Sequence, residues 1–127
     1  MPASPVRASV EPRIELGGDG TRAIVVVPVD AGEPVLAGHF PGFPIFPGVC
    51  VIECVHRAAV GTARRSGSEL ALEAIESSRF LGPAFPDDEL RVELTMTEET
   101  GTWRVAAEVR AGRRDVARIR LRYRAVS

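Results

Sequence analysis

Two ionisable side chains stand close together in a stretch of the chain that is otherwise apolar or rich in proline. His39 precedes a loop with three prolines, and Glu53 lies among aliphatic residues fourteen positions later. An imidazole and a carboxylate are side chains that enzymes commonly use to take up and release protons. A carboxylate is costly to bury among apolar residues unless a partner or a function compensates. The pair therefore indicates acid–base chemistry, and Arg57, one helical turn after Glu53, offers the alternative of a plain ion pair.

Between these two residues, Pro47 and Gly48 mark the expected start of a helix. A helix start presents unpaired backbone N–H groups and a positive dipole end, which suit an oxygen that becomes negative during a reaction. Gly48 has no side chain, so a substrate carbonyl can approach its N–H closely. A base, an acid and such a donor can remove a proton next to a thioester carbonyl and expel a β-hydroxyl group. Residue type alone still favours a plainer interpretation of His39, as a loop histidine bonded to the backbone.

The same stretch contains aromatic and sulfur-containing side chains. Phe40, Phe43 and Phe46 recur at every third position, and we interpret them first as core packing and second as the lining of an acyl channel. Cys50 and Cys54 lie on one face of the expected helix, where they cannot form a disulfide without distorting it, and they are interpreted as buried thiols. The chain has only two histidines and no second cysteine pair, so the sequence predicts no metal site.

The composition excludes several classes of protein. The 127 residues carry 16 basic and 17 acidic side chains, whereas a protein that binds nucleic acid through its phosphates needs a clear basic surplus. Every basic residue is arginine, which excludes a lysine nucleophile or Schiff base. Residues 1–8 are expected to be disordered. The absence of a signal-peptide pattern and of a long apolar run predicts a cytoplasmic protein that does not enter the membrane.

The pattern of apolar residues predicts one helix packed against an antiparallel sheet. The helix is expected from Gly48 to about Arg65, and it is apolar enough to be buried on most of its circumference. Two strands are expected before the helix and four after it: Val10–Leu16, Arg22–Val29, Leu70–Phe80, Glu89–Met96, Thr102–Val109 and Asp115–Tyr123. This order of elements indicates an α+β fold, and a chain of this length is expected to form a single domain over residues 1–127.

The segment from Gly38 to Val49, GHFPGFPIFPGV, together with Ile52 and Glu53, closely resembles the signature of the FabZ/FabA-type 3-hydroxyacyl-acyl-carrier-protein dehydratases. The resemblance covers about residues 22–123, most of the chain. It implies a hot-dog fold, in which an antiparallel sheet wraps around a long central helix. It also implies a dimer, with a hexamer or a heterodimer as further possibilities, and an active site shared between two subunits.

The resemblance further implies roles for individual residues. His39 would abstract the C2 proton of a 3-hydroxyacyl thioester, Glu53 of the partner subunit would protonate or orient the departing hydroxyl, and the Gly48 N–H would hold the thioester oxygen. The other candidate substrate-binding residues are Val49, Phe40, Phe43, Phe46, Arg57 and Phe80. The product would be the trans-2-enoyl thioester, the substrate would be bound to an acyl carrier protein, and no metal or organic cofactor is implied.

One departure from the family pattern concerns the candidate acid. Arg57 stands where these dehydratases usually carry glutamine, and an ion pair with Glu53 would favour an ionised carboxylate that orients the substrate hydroxyl instead of protonating it. Such departures are compatible with a specialised enzyme of polyketide or polyene assembly, as well as with fatty-acid synthesis. A hot-dog acyl thioesterase and a non-catalytic subunit that completes a heteromeric dehydratase are the alternatives.

The last predicted strand alternates strictly between two kinds of side chain. The apolar side consists of Ala117, Ile119, Leu121 and Tyr123, and the other of Arg118, Arg120, Arg122 and Arg124. We interpret the arginines as a solvated face that protects a sheet edge from aggregation. Docking of the acidic carrier protein is the alternative.

Overall fold

The computed structural model describes residues 13–16, 22–29, 48–85 and 88–126. Its elements are strands β1 (Arg13–Leu16) and β2 (Arg22–Pro28), helix α1 (Gly48–Arg65), and strands β3 (Glu69–Phe80), β4 (Glu89–Glu99), β5 (Thr102–Ala111) and β6 (Arg114–Val126). Their order is the predicted one, and every described boundary lies within about three residues of its expected place. Within these ranges, no helix is both long and apolar enough to cross a membrane.

All described strands form one antiparallel sheet in the order β1-β2-β4-β5-β6-β3. The turn from β4 to β5 consists of Thr100 and Gly101, whose φ angles are 54° and 80°. Two central residues with positive φ fit the right-handed twist of the strands on either side, which is why such turns close hairpins. The sheet and the described helix form the α+β hot-dog arrangement expected from the sequence.

The face of the sheet that packs against α1 forms the core. Alternate residues of each central strand point to this face, and in β6 the predicted alternation is confirmed. Among its apolar residues Leu121 and Tyr123 are fully buried, whereas Arg118 and Arg120 are exposed. The aliphatic core residues of the other central strands are Ala23, Val25, Val27, Leu90, Val92, Leu94, Val105, Ala107, Val109 and Ala111.

Helix α1 has a buried side and a half-exposed side. The buried positions follow the helical period: Cys50, Val51, Cys54, Val55, Ala58, Ala59, Thr62 and Ala63. On the opposite side Val49 is 68% exposed, while Ile52, Glu53, His56 and Val60 are half-buried. The prediction of a helix buried on most of its circumference is therefore wrong for the single chain, because the sheet packs against only one side.

The helix ends as the sequence predicts, at the Ser-Gly-Ser segment. Gly67 has a φ of 83°, which side chains other than glycine rarely adopt. The N–H of Ser68 donates to the carbonyl of Ala63 at 2.9 Å, and the N–H of Gly67 donates to that of Arg64 at 3.0 Å. These two bonds satisfy carbonyls that the last turn of a helix leaves unpaired.

Strand β3 lies at the edge of the described sheet and pairs only with β6 on its inner side. Its register shifts twice, between Leu72 and Ala74 and between Ile75 and Ser77. Three of its apolar side chains, Leu72, Ile75 and Phe80, are 41%, 49% and 48% exposed. An edge strand with exposed apolar side chains can pair with a further strand. Since β6 lies inside the sheet, the interpretation of its arginines as protection of an edge is wrong.

Candidate active site

The structure describes five of the nine predicted site residues: Gly48, Val49, Glu53, Arg57 and Phe80. His39 and the loop phenylalanines Phe40, Phe43 and Phe46 lie outside the described residues, so their roles stay predictions. The five described residues belong to the first turns of α1 and to the end of β3.

The helix start is in contact with Phe80. A Cβ atom added to Gly48 would lie 2.9 Å from the Cζ atom of the Phe80 ring, closer than such atoms normally approach. The fold thus brings the end of β3 to the first residue of α1, as expected if both line one site. The Phe80 ring also takes up the room that a side chain at position 48 would need.

The candidate acid forms the predicted ion pair. The Nε atom of Arg57 lies 3.3 Å from Oε1 of Glu53, and the two side chains are 35% and 31% exposed. A partly exposed pair at i and i+4 stabilises a helix by only about 0.3–0.5 kcal/mol. The pair lies on the half-exposed side of α1, so the Glu53 carboxylate can be reached from outside the core.

Two residues beside Glu53 were not predicted to belong to a site. Tyr123 of β6 is fully buried, and its hydroxyl lies 2.8 Å from Nδ1 of His56. The planes of the two rings are 6° from parallel, and their centroids are 5.7 Å apart. Burial and, second, the negative charge of Glu53 raise the pKa of Tyr123 well above its ordinary value. Glu53, His56, Arg57 and Tyr123 are called the helix cluster below.

The sequence contained a signal for this pair. Tyr123 ends an otherwise aliphatic stripe, and a buried tyrosine usually finds a hydrogen-bond partner for its hydroxyl. His56 follows Glu53 by three positions, which places the two side chains on one face of a helix. The partnership itself could not be read from the sequence, because it depends on how α1 lies across β6.

A second set of charges lies on the opposite, outer face of the sheet. It is called the outer ladder and consists of Arg104, Arg118, Arg120, Arg122, Glu73, Glu76 and Glu108. Arg122 Nη1 lies 3.3 Å from Glu76 Oε2, and Arg118 Nε lies 3.9 Å from Glu108 Oε1. An open groove of about 460 Å³ on this face is lined in part by Arg79, Arg118 and Arg120. It contains none of the predicted site residues, and its arginines face solvent as predicted.

The two cysteines are buried and unoxidised, as predicted from their place on the helix. Cys50 is fully buried and Cys54 is 2% exposed. In the described part of the chain, no group of three or more histidine, cysteine or carboxylate side chains could hold a metal ion.

Comparison with curated proteins finds several dehydratases among the relatives of this chain. The 3-hydroxyacyl-acyl-carrier-protein dehydratase FabZ of Pelotomaculum thermopropionicum is 34% identical over 88 residues, which cover 66% of this chain and 63% of the relative. The enzyme of the same name from Symbiobacterium thermophilum is 40% identical over 81 residues, which cover 61% of this chain and 57% of the relative. The chain thus spans about three fifths of the length of these relatives.

A solved structure and a family profile extend the comparison. The fold matches that of the dehydratase heterocomplex ApeI:P from Xenorhabdus doucetiae with a TM-score of 0.69 and 18% identity, over 90% of this chain and 98% of that chain. At this identity the match supports the fold alone. The profile of the ApeI-like family, described as ApeI dehydratase, matches residues 16–118. Because this match extends over most of the sequence, and includes the segment with His39 and Glu53, the chain belongs to the ApeI-like dehydratase family.

Proposed function

We propose that this protein dehydrates a (3R)-hydroxyacyl thioester, bound to an acyl carrier protein, to the trans-2-enoyl thioester. The observation that carries the proposal is the position of Glu53, whose carboxylate lies on the half-exposed side of α1 within two turns of the helix start at Gly48. Membership of a dehydratase family supports the reaction. The named substrate of the FabZ relatives supports the carrier-bound 3-hydroxyacyl group.

The proposed reaction needs a base, a hydroxyl-orienting group and a donor. His39 takes the C2 proton, the electron pair forms the C2–C3 double bond, and the C3–O bond breaks as His39 passes that proton to the hydroxyl, which leaves as water. Acid–base assistance of this kind contributes about 10²- to 10⁴-fold in rate. The Gly48 N–H holds the thioester oxygen as it becomes negative, and one such donor contributes about 3 kcal/mol. Val49 and Phe80 lie beside this donor.

Glu53 is proposed to orient the substrate hydroxyl. Its carboxylate forms an ion pair with Arg57, and a carboxylate accepts hydrogen bonds but has no proton to give. Arg57 is therefore assigned the role of holding this carboxylate in place. Arg57 stands where these dehydratases usually carry glutamine, and this difference supports a specialised role in polyketide or polyene assembly.

A second copy of the chain is proposed to complete the site. The half-exposed side of α1 contains Ile52 and Val60 beside Glu53, and edge strand β3 exposes Leu72 and Ile75. Continuing the sheet through β3 would cover both surfaces, and Glu53 would then meet His39 of the partner subunit. A heterodimer is the alternative, and light scattering on the purified chain distinguishes it from a homodimer, since an inactive monomer would favour it.

The test is an assay with 3-hydroxyacyl thioesters of several chain lengths. We expect the wild-type protein to form the enoyl chromophore and His39→Ala to lose at least about 10²-fold in turnover. Glu76→Gln in the outer ladder is the matched control, because Glu76 also pairs with an arginine, and it should retain activity. Release of free thiol without an enoyl product would contradict the proposal and indicate a thioesterase. Circular dichroism establishes that each variant is folded.

A further inference from the structure

The hydrogen bond between Tyr123 and His56 has a definite direction. The Tyr123 hydroxyl is fully buried, and among the described residues its one hydrogen-bond partner is Nδ1 of His56. If Nδ1 carried the proton and donated it, the hydroxyl proton of Tyr123 would be left buried without an acceptor, which is costly. The hydroxyl therefore donates, and Nδ1 accepts.

This direction fixes the proton on the other ring nitrogen. A neutral imidazole has one N–H and one acceptor nitrogen, so a His56 that accepts at Nδ1 carries its N–H at Nε2. Nε2 forms no hydrogen bond with any residue that the structure describes, and the His56 side chain is only half-buried. A neutral N–H donor in a fixed orientation is thus available on the half-exposed side of α1.

The His56 N–H donor lies on the same helix face as the candidate acid Glu53. Glu53 and His56 are three positions apart on one helix face, and the charge of Glu53 acts on the Tyr123 hydroxyl behind His56. As the C3–O bond breaks, an acceptor for the proton of the hydroxyl keeps this group oriented, and a donor to its oxygen stabilises the charge that develops there. An ion-paired Glu53 carboxylate provides only the acceptor.

We propose that His56 is a further catalytic residue, whose Nε2–H donates a hydrogen bond to the 3-hydroxyl oxygen of the acyl substrate, and that Tyr123 is the positioning residue that fixes this imidazole. The inference rests on the proposed dehydratase function. No proton leaves His56: the base removes the C2 proton, the C3–O bond breaks, and the hydroxyl departs with that proton as water. His56 stabilises the charge that develops on the departing oxygen.

The first test compares two substitutions of His56. His56→Phe keeps an aromatic ring beside Tyr123 but has no N–H, while His56→Gln restores an N–H donor on a side chain of similar reach. We expect His56→Phe to lower kcat about 10²-fold with KM within about threefold, as for loss of one donor to developing charge. His56→Gln should recover about tenfold of that loss. Wild-type turnover in His56→Phe, or no recovery in His56→Gln, would overturn the assignment.

The second test measures contact with the hydroxyl without turnover. In a His39→Ala background, binding of a 3-hydroxyacyl pantetheine thioester is compared with binding of the saturated acyl thioester of equal length. Adding His56→Phe should weaken binding of the hydroxy compound about 3- to 10-fold and leave the saturated compound unchanged. Equal loss for both would assign His56 to packing. If the wild-type protein forms no enoyl product, the proposed function fails, whereas this comparison still decides whether His56 contacts the hydroxyl.

The positioning role of Tyr123 has its own measurement. Tyr123→Phe keeps the ring and removes the donor to Nδ1, so the His56 N–H is no longer confined to Nε2. We expect kcat to fall about tenfold with KM unchanged, and Tyr123→Phe should have no further effect in a His56→Phe protein. Additive losses in the double variant would contradict a role that acts through His56.

Discussion

The helix cluster and the outer ladder contain nearly identical ion pairs in very different settings. Arg57 and Glu53 lie 3.3 Å apart with side chains 35% and 31% exposed, and Arg122 and Glu76 lie 3.3 Å apart with side chains 39% and 29% exposed. Distance and exposure therefore do not distinguish them. Only the first pair has a buried tyrosine behind it whose pKa responds to the carboxylate. The ion pair alone therefore does not identify the candidate site. The buried Tyr123 hydroxyl beside Glu53 does, because the outer ladder has no tyrosine.

Three of the four arginines in the outer ladder lie near carboxylates of the same face. Arg122 lies near both Glu73 and Glu76, and Arg104 also lies near Glu76. Exposed pairs of this kind contribute about 0–1 kcal/mol each, and they keep the sheet face hydrated. Substitution of the carboxylate in either ion pair should therefore cost little stability, so that a large loss of turnover confined to Glu53 reflects function.

The largest expected difference between the two regions comes from removing one carboxylate charge in each. Glu53→Gln should lower kcat/KM by about 10²- to 10³-fold, because an amide oxygen accepts a hydrogen bond from the substrate hydroxyl less strongly than a carboxylate does. Glu76→Gln should leave kcat/KM within about twofold, since its pair is an exposed one. Steady-state kinetics with one 3-hydroxyacyl thioester measures both variants. Similar losses in the two proteins would remove the distinction between the regions.

The dependence of the free energy of unfolding on alkaline pH tests the burial of Tyr123, the innermost residue of the helix cluster. The pKa of Tyr123 is raised in the folded chain, so above about pH 10 the unfolded chain releases a phenol proton that the folded chain keeps. The contribution of Tyr123 to the free energy of unfolding is fully present below about pH 10. Above it, the free energy of unfolding should fall by about 1.4 kcal/mol for each pH unit. Urea unfolding of the wild type and of Tyr123→Phe, which lacks this dependence, isolates the effect.

A matched spectroscopic control is available because the chain has one tyrosine and no lysine. Phenolate absorbance then reports Tyr123 alone, and no lysine titrates in the same range. Ionisation of the folded protein at the pH of an exposed tyrosine would show that the hydroxyl is open to solvent, contrary to the buried hydrogen bond.

A smaller effect is expected where α1 meets the end of β3. Gly48→Ala places a Cβ 2.9 Å from the Phe80 ring, and the ring must shift, which should cost about 1 kcal/mol in the free energy of unfolding. In a Phe80→Ala background the same change should cost nothing. Chemical denaturation of the four proteins of this cycle gives the coupling. Equal costs in both backgrounds would mean that the ring does not limit position 48.

The smallest effect is expected in the outer ladder. Arg120→Glu should change stability by no more than about 0.5 kcal/mol, as for surface substitutions generally, and should not alter turnover of a pantetheine thioester. Turnover of the carrier-bound substrate then decides between the two interpretations of the arginine stripe. A selective rise in KM for the carrier-bound form would show that the carrier protein docks on this face.

The sequence predicts the elements well because their signals are local. The strict alternation in β6 and the Gly67 stop signal after α1 each depend on a few neighbouring residues. The contacts that make up the site are of another kind. His56 and Tyr123 are 67 positions apart, and their meeting depends on how the helix crosses the sheet. The packing of Phe80 on Gly48 and the half-exposed side of α1 likewise depend on how the helix packs against the sheet, which no local pattern specifies.

The central claim, that one chain provides half of a dehydratase site, is tested most directly by mixing two inactive variants. His39→Ala and Glu53→Gln should each be inactive alone. After subunit exchange, half of the dimers should be hybrids with one intact site, so that about a quarter of wild-type turnover returns. Exchange is followed with two differently tagged chains. Recovery of activity is the predicted result, and hybrids that form without activity would contradict a site shared between His39 of one protomer and Glu53 of the other.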